Sequence, residues 1–145
     1  VFTWGDAAFG GNSSAVAPLL TEGVVQVCGT YGAFAAIKMN GSAVTWSDAA
    51  FGGNSSAVAP LLTEVVVQVC GNGGAFAAIK ANGSVVMWGN VDQGGNSSAV
   101  APLLTQGVVQ GVAEVCGNGG AFAAIKANGS VFTWGDAAFG GNSPA

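Results

Sequence analysis

The side chains able to do chemistry are few and evenly spread. Among 145 residues there is no histidine, three lysines are the only cations, and there are seven carboxylates and three cysteines. Without histidine, the commonest general base and the commonest transition-metal ligand are both missing. Cys28, Cys70 and Cys116 stand 42 and 46 residues apart, which is not the short paired spacing of a zinc site. Their odd number cannot pair fully. Thiols in one frame of stacked repeats would sit about 10 Å apart, too far for a disulfide. They are expected to be unpaired small residues ending a strand, and free thiols favour a reducing compartment.

The carboxylates are equally dispersed. Asp6, Asp48 and Asp136 each follow a tryptophan strand, with Asn90 and Asp92 in the corresponding turn. One carboxylate per turn falls short of the roughly six to eight oxygens calcium takes, so turn or cap roles are expected. A pair such as Asp6 and Glu22 could be read as a glycosidase dyad, but degenerate repeats are poor hosts for one asymmetric site. FGGNSS (Phe9–Ser14) sets glycines ahead of a helical start, yet lacks the lysine and spacing of a phosphate loop. Six Asn-x-Ser sequons begin at Asn12, Asn40, Asn54, Asn82, Asn96 and Asn128, where turn and cap chemistry already accounts for asparagine. No catalytic, cofactor-binding or metal-ligating residue is assigned. The chain reads as a non-enzyme without a cofactor.

Composition sets further limits. Half the residues are hydrophobic, 7% are charged, glycine supplies 25, and the formal net charge is −4. With only Lys38, Lys80 and Lys126 positive, there is no basic patch for nucleic acid or an anionic membrane. No apolar run approaches the roughly 18 residues of a membrane span, and VFTWG at the start does not resemble a signal peptide.

What positions these residues is a repeat. GAFAAIKANGSVVMWGN (Gly74–Asn90) recurs as GAFAAIKMNGSAVTWS (Gly32–Ser47) and GAFAAIKANGSVFTWGD (Gly120–Asp136). Asn-Gly between two apolar runs predicts a β-hairpin with a two-residue type I′ turn. That turn sets Ile79 opposite Val86 and Ala77 opposite Trp88, with Ala35 on Trp46 and Ala123 on Trp134 in the other copies. Both faces are apolar, with Phe76, Ala78, Val85 and Met87 opposite the first set, and such a sheet needs neighbours on both sides. Packed against alanine, the tryptophans read as core and not as a sugar-binding ladder.

Trp4, Trp46, Trp88 and Trp134 define periods of 42, 42 and 46. The array is one unit over 1–145, with repeats at about 1–43, 44–85 and 86–131 and a partial one at 132–145. Each full period holds a WG strand (Val1–Gly5), a Gly-rich turn (Asp6–Asn12), SSAVAPLL (Ser13–Leu20), and the strands VVQVCG (Val24–Gly29) and AFAAIK (Ala33–Lys38). SSAVAPLL is either a helical turn capped by Ser13 or Ser14 or an extended edge. The four extra residues near Gln110–Glu114 are expected to make a loop or bulge at the start of that strand. Four WG strands meet only three AFAAIK strands, so the chain reads as an open segment of a longer array. Both its ends are expected to be covered by further repeats or a protein partner.

In this order, GS-V-x-x-WG, a Gly-rich turn, an apolar segment with proline, V-x-x-V and A-F-A-A-I-K-x-N-G resemble the RCC1-type repeat, the blade of a seven-bladed β-propeller. The short form V-T-W-G-D-x-x-F-G-G-N-S-S is similar to degenerate repeat arrays of dinoflagellate algae. The resemblance implies an all-β fold of tandem 42-residue β-hairpin repeats, blade-like or solenoid-like. The period is shorter than the family's. Ala33, Ala75 and Ala121 stand where it often has histidine, three repeats cannot close seven blades, and its nucleotide-exchange and chromatin-binding segments have no counterpart here. The function expected is a structural or protein–protein interaction element. The alternatives are an accessory subunit of a large assembly, photosynthetic and plastid-located if the algal likeness holds, and an extracellular carbohydrate-binding repeat.

Overall fold

The computed structural model describes residues 1–63, 65–96 and 112–142. Nine strands form three separate antiparallel sheets, each a three-stranded meander. The first holds β1 (Val24–Gly29), β2 (Ala33–Lys38) and β3 (Ala43–Ser47). The second holds β4 (Val66–Gly71), β5 (Ala75–Lys80) and β6 (Val85–Gly89). The third holds β7 (Val112–Gly117), β8 (Ala121–Lys126) and β9 (Val131–Gly135). The fold is all-β, built of tandem hairpin repeats, each sheet completed by a further strand that reads VVQVCG in the first two and VAEVCG in the third. No helix among the described residues is long and apolar enough to cross a membrane.

The hairpins stand where Asn-Gly predicts, but the turn type and register differ from the expectation. Ile79 opposes Val85, Ala77 opposes Met87 and Phe76 opposes Trp88, one residue away from the pairing that a two-residue loop would give. The loop has three residues. Gly83 N–H donates to Lys80 O at 2.8 Å and Lys80 N–H to Ser84 O at 2.9 Å, a type I turn followed by a left-handed glycine at φ +81°. A type I′ turn would need positive φ at Asn82 as well. Asn82 instead keeps ordinary φ, and its Oδ1 accepts from Ser84 N–H at 2.9 Å and Ser84 Oγ–H at 2.6 Å. The same turn recurs at Asn40 and Asn128.

A one-residue slip exchanges the faces of a sheet, so the side-chain sets are corrected accordingly. Phe76, Ala78, Val86 and Trp88 share one face, and Ala75, Ala77, Ile79, Val85 and Met87 the other. Trp46, Trp88 and Trp134 each stack on the phenylalanine across from them, with centroids 5.4 to 5.5 Å apart. The aromatic face of each sheet packs on the alanine–isoleucine face of the preceding one. Phe76, Ala78, Val86 and Trp88 meet Ala33, Ala35 and Ile37 in one core. Phe122, Ala124, Phe132 and Trp134 meet Ala75, Ala77, Ile79, Val85 and Met87 in the next.

Hydrogen bonds tie successive repeats together. Trp46 Nε1–H donates to Gly10 O at 3.2 Å, Trp88 to Gly52 O at 3.0 Å, and Trp134 to Gly94 O at 3.3 Å. Between the β1–β2 turn and its successors, Tyr31 N–H donates to Gly73 O at 2.9 Å and Gly73 N–H to Gly119 O at 3.1 Å.

SSAVAPLL is helical, as 3-10 segments at Ser14–Leu19 and Ser56–Leu61. The cap is not the expected serine. Ser13 makes no side-chain cap bond, because its Oγ lies 3.0 Å from Thr3 Oγ1, and Asn12 Oδ1 takes Ser14 N–H at 3.0 Å instead. The third copy of this segment, with Gln110 and Gly111 of the insertion, lies outside the described residues. A bulge does open β7, between Val112 and Glu114, but β1 and β4 carry the same bulge, so the insertion is not its source. Val1–Gly5 is not a strand. It keeps the bonds of the β3 frame, since Thr3 Oγ1–H donates to Gly11 O at 3.1 Å as Thr45 does to Gly53 O at 3.2 Å, but it lacks an AFAAIK strand to pair with.

Two stability effects follow. Gly52 has φ +96°, and a Cβ there would lie 2.6 Å from the Phe76 ring. Gly52→Ala is expected to cost about 3 kcal/mol in urea unfolding, from left-handed strain and overpacking together. Gly140→Ala, with φ +92° but nothing within 4 Å, should cost about 1 kcal/mol. Equal effects would show that the Phe76 contact carries no weight. Val65 holds φ +58° where the first repeat has Gly23 at φ +72°. Val65→Gly should raise stability by about 1 kcal/mol, the strain of a β-branched residue less the chain entropy of glycine, read as a higher thermal midpoint.

Candidate functional site

The residues singled out for chemistry do not converge. Asp6, Asp48 and Asp136 cap short 3-10 turns, accepting from Ala8, Ala50 and Ala138 N–H at 2.8 to 2.9 Å. Glu22 lies by Lys38, Met39 and Asn40, at the other end of β1 from the turn holding Asp6, so the two form no dyad. Among the described residues no cluster of three or more His, Cys, Asp or Glu could hold a metal. Trp46, Trp88 and Trp134 are buried. Asn12 and Asn54 serve the serine amides at Ser14 and Ser56.

The three cysteines are free thiols. Cys28 and Cys70 are half-buried beside the two inter-sheet cores, while Cys116 is exposed. Burial, with a smaller contribution from the Cys70 thiol, pushes the Cys28 thiol up to about 12. It is therefore protonated at neutral pH and a weak nucleophile. Burial raises the Cys70 thiol as well, with Cys116 adding to it.

Among the exposed apolar residues, three groups bear on contacts with other molecules. At the C-terminal end the outer face of the third sheet repeats the surface that receives a neighbour elsewhere. Ile125 is 40% exposed where Ile37 and Ile79 are 3% and 4%. At the N-terminal end the aromatic face of the first sheet is only partly covered, with Val27 43% exposed where Val69 and Val115 are each 2%. There Val1, Phe2, Trp4, Val27, Phe34 and Trp46 line an apolar depression of about 180 Å³. Trp4, the counterpart of the buried Trp46, Trp88 and Trp134, is 84% exposed.

The third group lies on the rim formed by the turns, and periodicity hid it. Tyr31, the single tyrosine, stands edge-on to Phe9 with centroids 5.3 Å apart and tilted against Phe51 at 5.4 Å. Phe51 is held by its carbonyl, which accepts from Thr30 Oγ1–H at 2.7 Å. The signal available in the sequence was a departure from the repeat: Gly73 and Gly119 occupy the Tyr31 frame in the other copies.

No protein-family model and no curated protein matches the sequence. Solved structures do match its fold. Human WBSCR16 aligns at 20% identity and a TM-score of 0.58 over 81% of this chain and 35% of that one. Yeast RCC1 (Prp20), solved bound to Kap60, aligns at 10% identity and 0.56 over 77% and 29%. The receptor kinase CR4 ectodomain of Physcomitrella patens aligns at 16% identity and 0.52 over 77% and 29%. The chain thus spans about a third of the length of each of these three structures. At these identities the likeness is one of architecture, and three blade-like sheets packed face to face give the chain an RCC1-like β-repeat fold.

Proposed function

We propose that the chain is a non-enzymatic repeat module whose work is structural, holding protein partners or further repeats through the faces of its terminal sheets. The observation that carries this reading is the reappearance, in exposed form, of the surface used at both internal junctions. Ile125 at one end, and Val27 with Phe34 at the other, correspond to residues buried wherever a neighbouring sheet is present, and Val131 corresponds to the buried Val85 and the partly buried Ala43. Burying an exposed isoleucine or valine contributes about 1.5–3 kcal/mol, so these faces favour a partner. A stable contact would cover roughly 600 Å² or more per end. A module that holds partners needs no converging reactive groups, in keeping with the dispersed carboxylates, the absence of histidine and the protonated Cys28 thiol.

Sedimentation velocity on the purified chain tests this. The wild type is expected to associate with rising concentration. The double variant Ile125→Lys, Val131→Lys should stay smaller at the same concentration while keeping its thermal midpoint, because both side chains are already exposed in the isolated chain. A wild type that remains monomeric, with no binding of an apolar dye, would overturn the proposal.

A further inference from the structure

The Tyr31 side chain is surplus to the fold. Its backbone N–H bonds Gly73 O at 2.9 Å as that of Gly73 bonds Gly119 O at 3.1 Å, so the position performs its structural role in the second repeat with no side chain at all. Yet Tyr31 is 69% exposed and links the phenylalanines of two successive repeats into one ridge, Phe9–Tyr31–Phe51. In the next repeat the ridge is gone, with Gly73 and Gln93 in place of Tyr31 and Phe51.

The charges around the ridge have one sign. Asp6 begins the turn whose last residue is Phe9, and Asp48 the turn ending in Phe51. Asp48 N–H donates to Gly32 O at 3.1 Å, which sets this residue next to Tyr31 in space. Among the described residues each carboxylate accepts one backbone amide, on Oδ1, and both aspartates are exposed. The cations lie at the other end of the strands. Lys38 and Lys80 donate from Nζ to Leu19 O and Leu61 O, and Lys126 Nζ lies 5.7 Å from the centre of the Phe132 ring. The rim therefore offers aromatic surface and unshared carboxylate oxygens, with no cation of its own to occupy them. A guanidinium fits both, because its plane stacks on aromatic rings and its fork pairs with carboxylates.

We propose that the Phe9–Tyr31–Phe51 ridge, flanked by Asp6 and Asp48, is a docking site for a basic, arginine-bearing segment of a partner protein. The ridge is separate from the end faces, so this site stands or falls independently of them. The test uses the single tyrosine as a local reporter. A short Gly-Arg peptide is titrated into the full chain while the Tyr31 ring proton resonances are followed by NMR, alongside matched peptides with citrulline or proline replacing arginine. The Gly-Arg peptide should shift the Tyr31 resonances with a salt-sensitive affinity, and the citrulline and proline peptides should not. By fluorescence anisotropy of the labelled Gly-Arg peptide, Tyr31→Gly, which restores the residue of the other repeats, should weaken binding about three- to fivefold. Asp48→Asn, which keeps the cap acceptor, should weaken it and flatten its salt dependence. No shift at Tyr31, an equal shift with the citrulline or proline peptide, or unchanged binding by Tyr31→Gly would overturn the proposal.

Discussion

One buried hydrogen bond, from a tryptophan indole to a glycine carbonyl, recurs at each junction between repeats, and the packing of the sheets depends on it. The indole comes from the third strand of one sheet. The carbonyl belongs to the left-handed glycine that ends the 3-10 turn of the repeat before. That glycine lies close enough to the stacked phenylalanine that an added Cβ would force the ring to shift. One contact thus satisfies a polar N–H in an apolar core, where leaving it unpaired would cost about 1–3 kcal/mol. It also fixes how far one repeat stands from the next. The two apolar faces of each sheet are a consequence: a sheet held at this spacing is covered on both sides, and its interior strand can be almost wholly alanine, phenylalanine and isoleucine.

Much of this was legible in the chain. The period, the order of strands, the hairpins at Asn-Gly and the need for cover on both faces all follow from residues that recur. The register did not follow, for a physical reason. Asn-Gly serves a two-residue loop and a three-residue loop equally well. The choice is made by the Asn82 carboxamide, which binds Ser84 and so favours a type I turn with glycine as the left-handed third residue. In most sheets the burial pattern would reveal a one-residue error at once. Here both faces are apolar, and either register places hydrophobic residues against hydrophobic neighbours.

The proposed docking ridge was harder to read because repetition is itself the dominant signal. Aligning the copies draws attention to what they share, which is core, turn and cap. Tyr31 differs from its counterparts, and its neighbours Phe9 and Phe51 are distant in sequence, so only the folded chain brings the three rings together. The carboxylates were visible as turn residues, and they are turn residues. What the sequence could not convey is that they share a rim with the aromatic ridge while the lysines lie at the far end of the strands.

The hydrogen bonds from Tyr31 to Gly73 and from Gly73 to Gly119 run along the stack, through peptide groups alone. Because this link uses no side chain, the position of Tyr31, Gly73 and Gly119 is free to vary, while the indole bond and the apolar faces fix which surfaces meet. Variation at this one position can therefore carry a difference between repeats, as the tyrosine of the first copy does, without disturbing the stack.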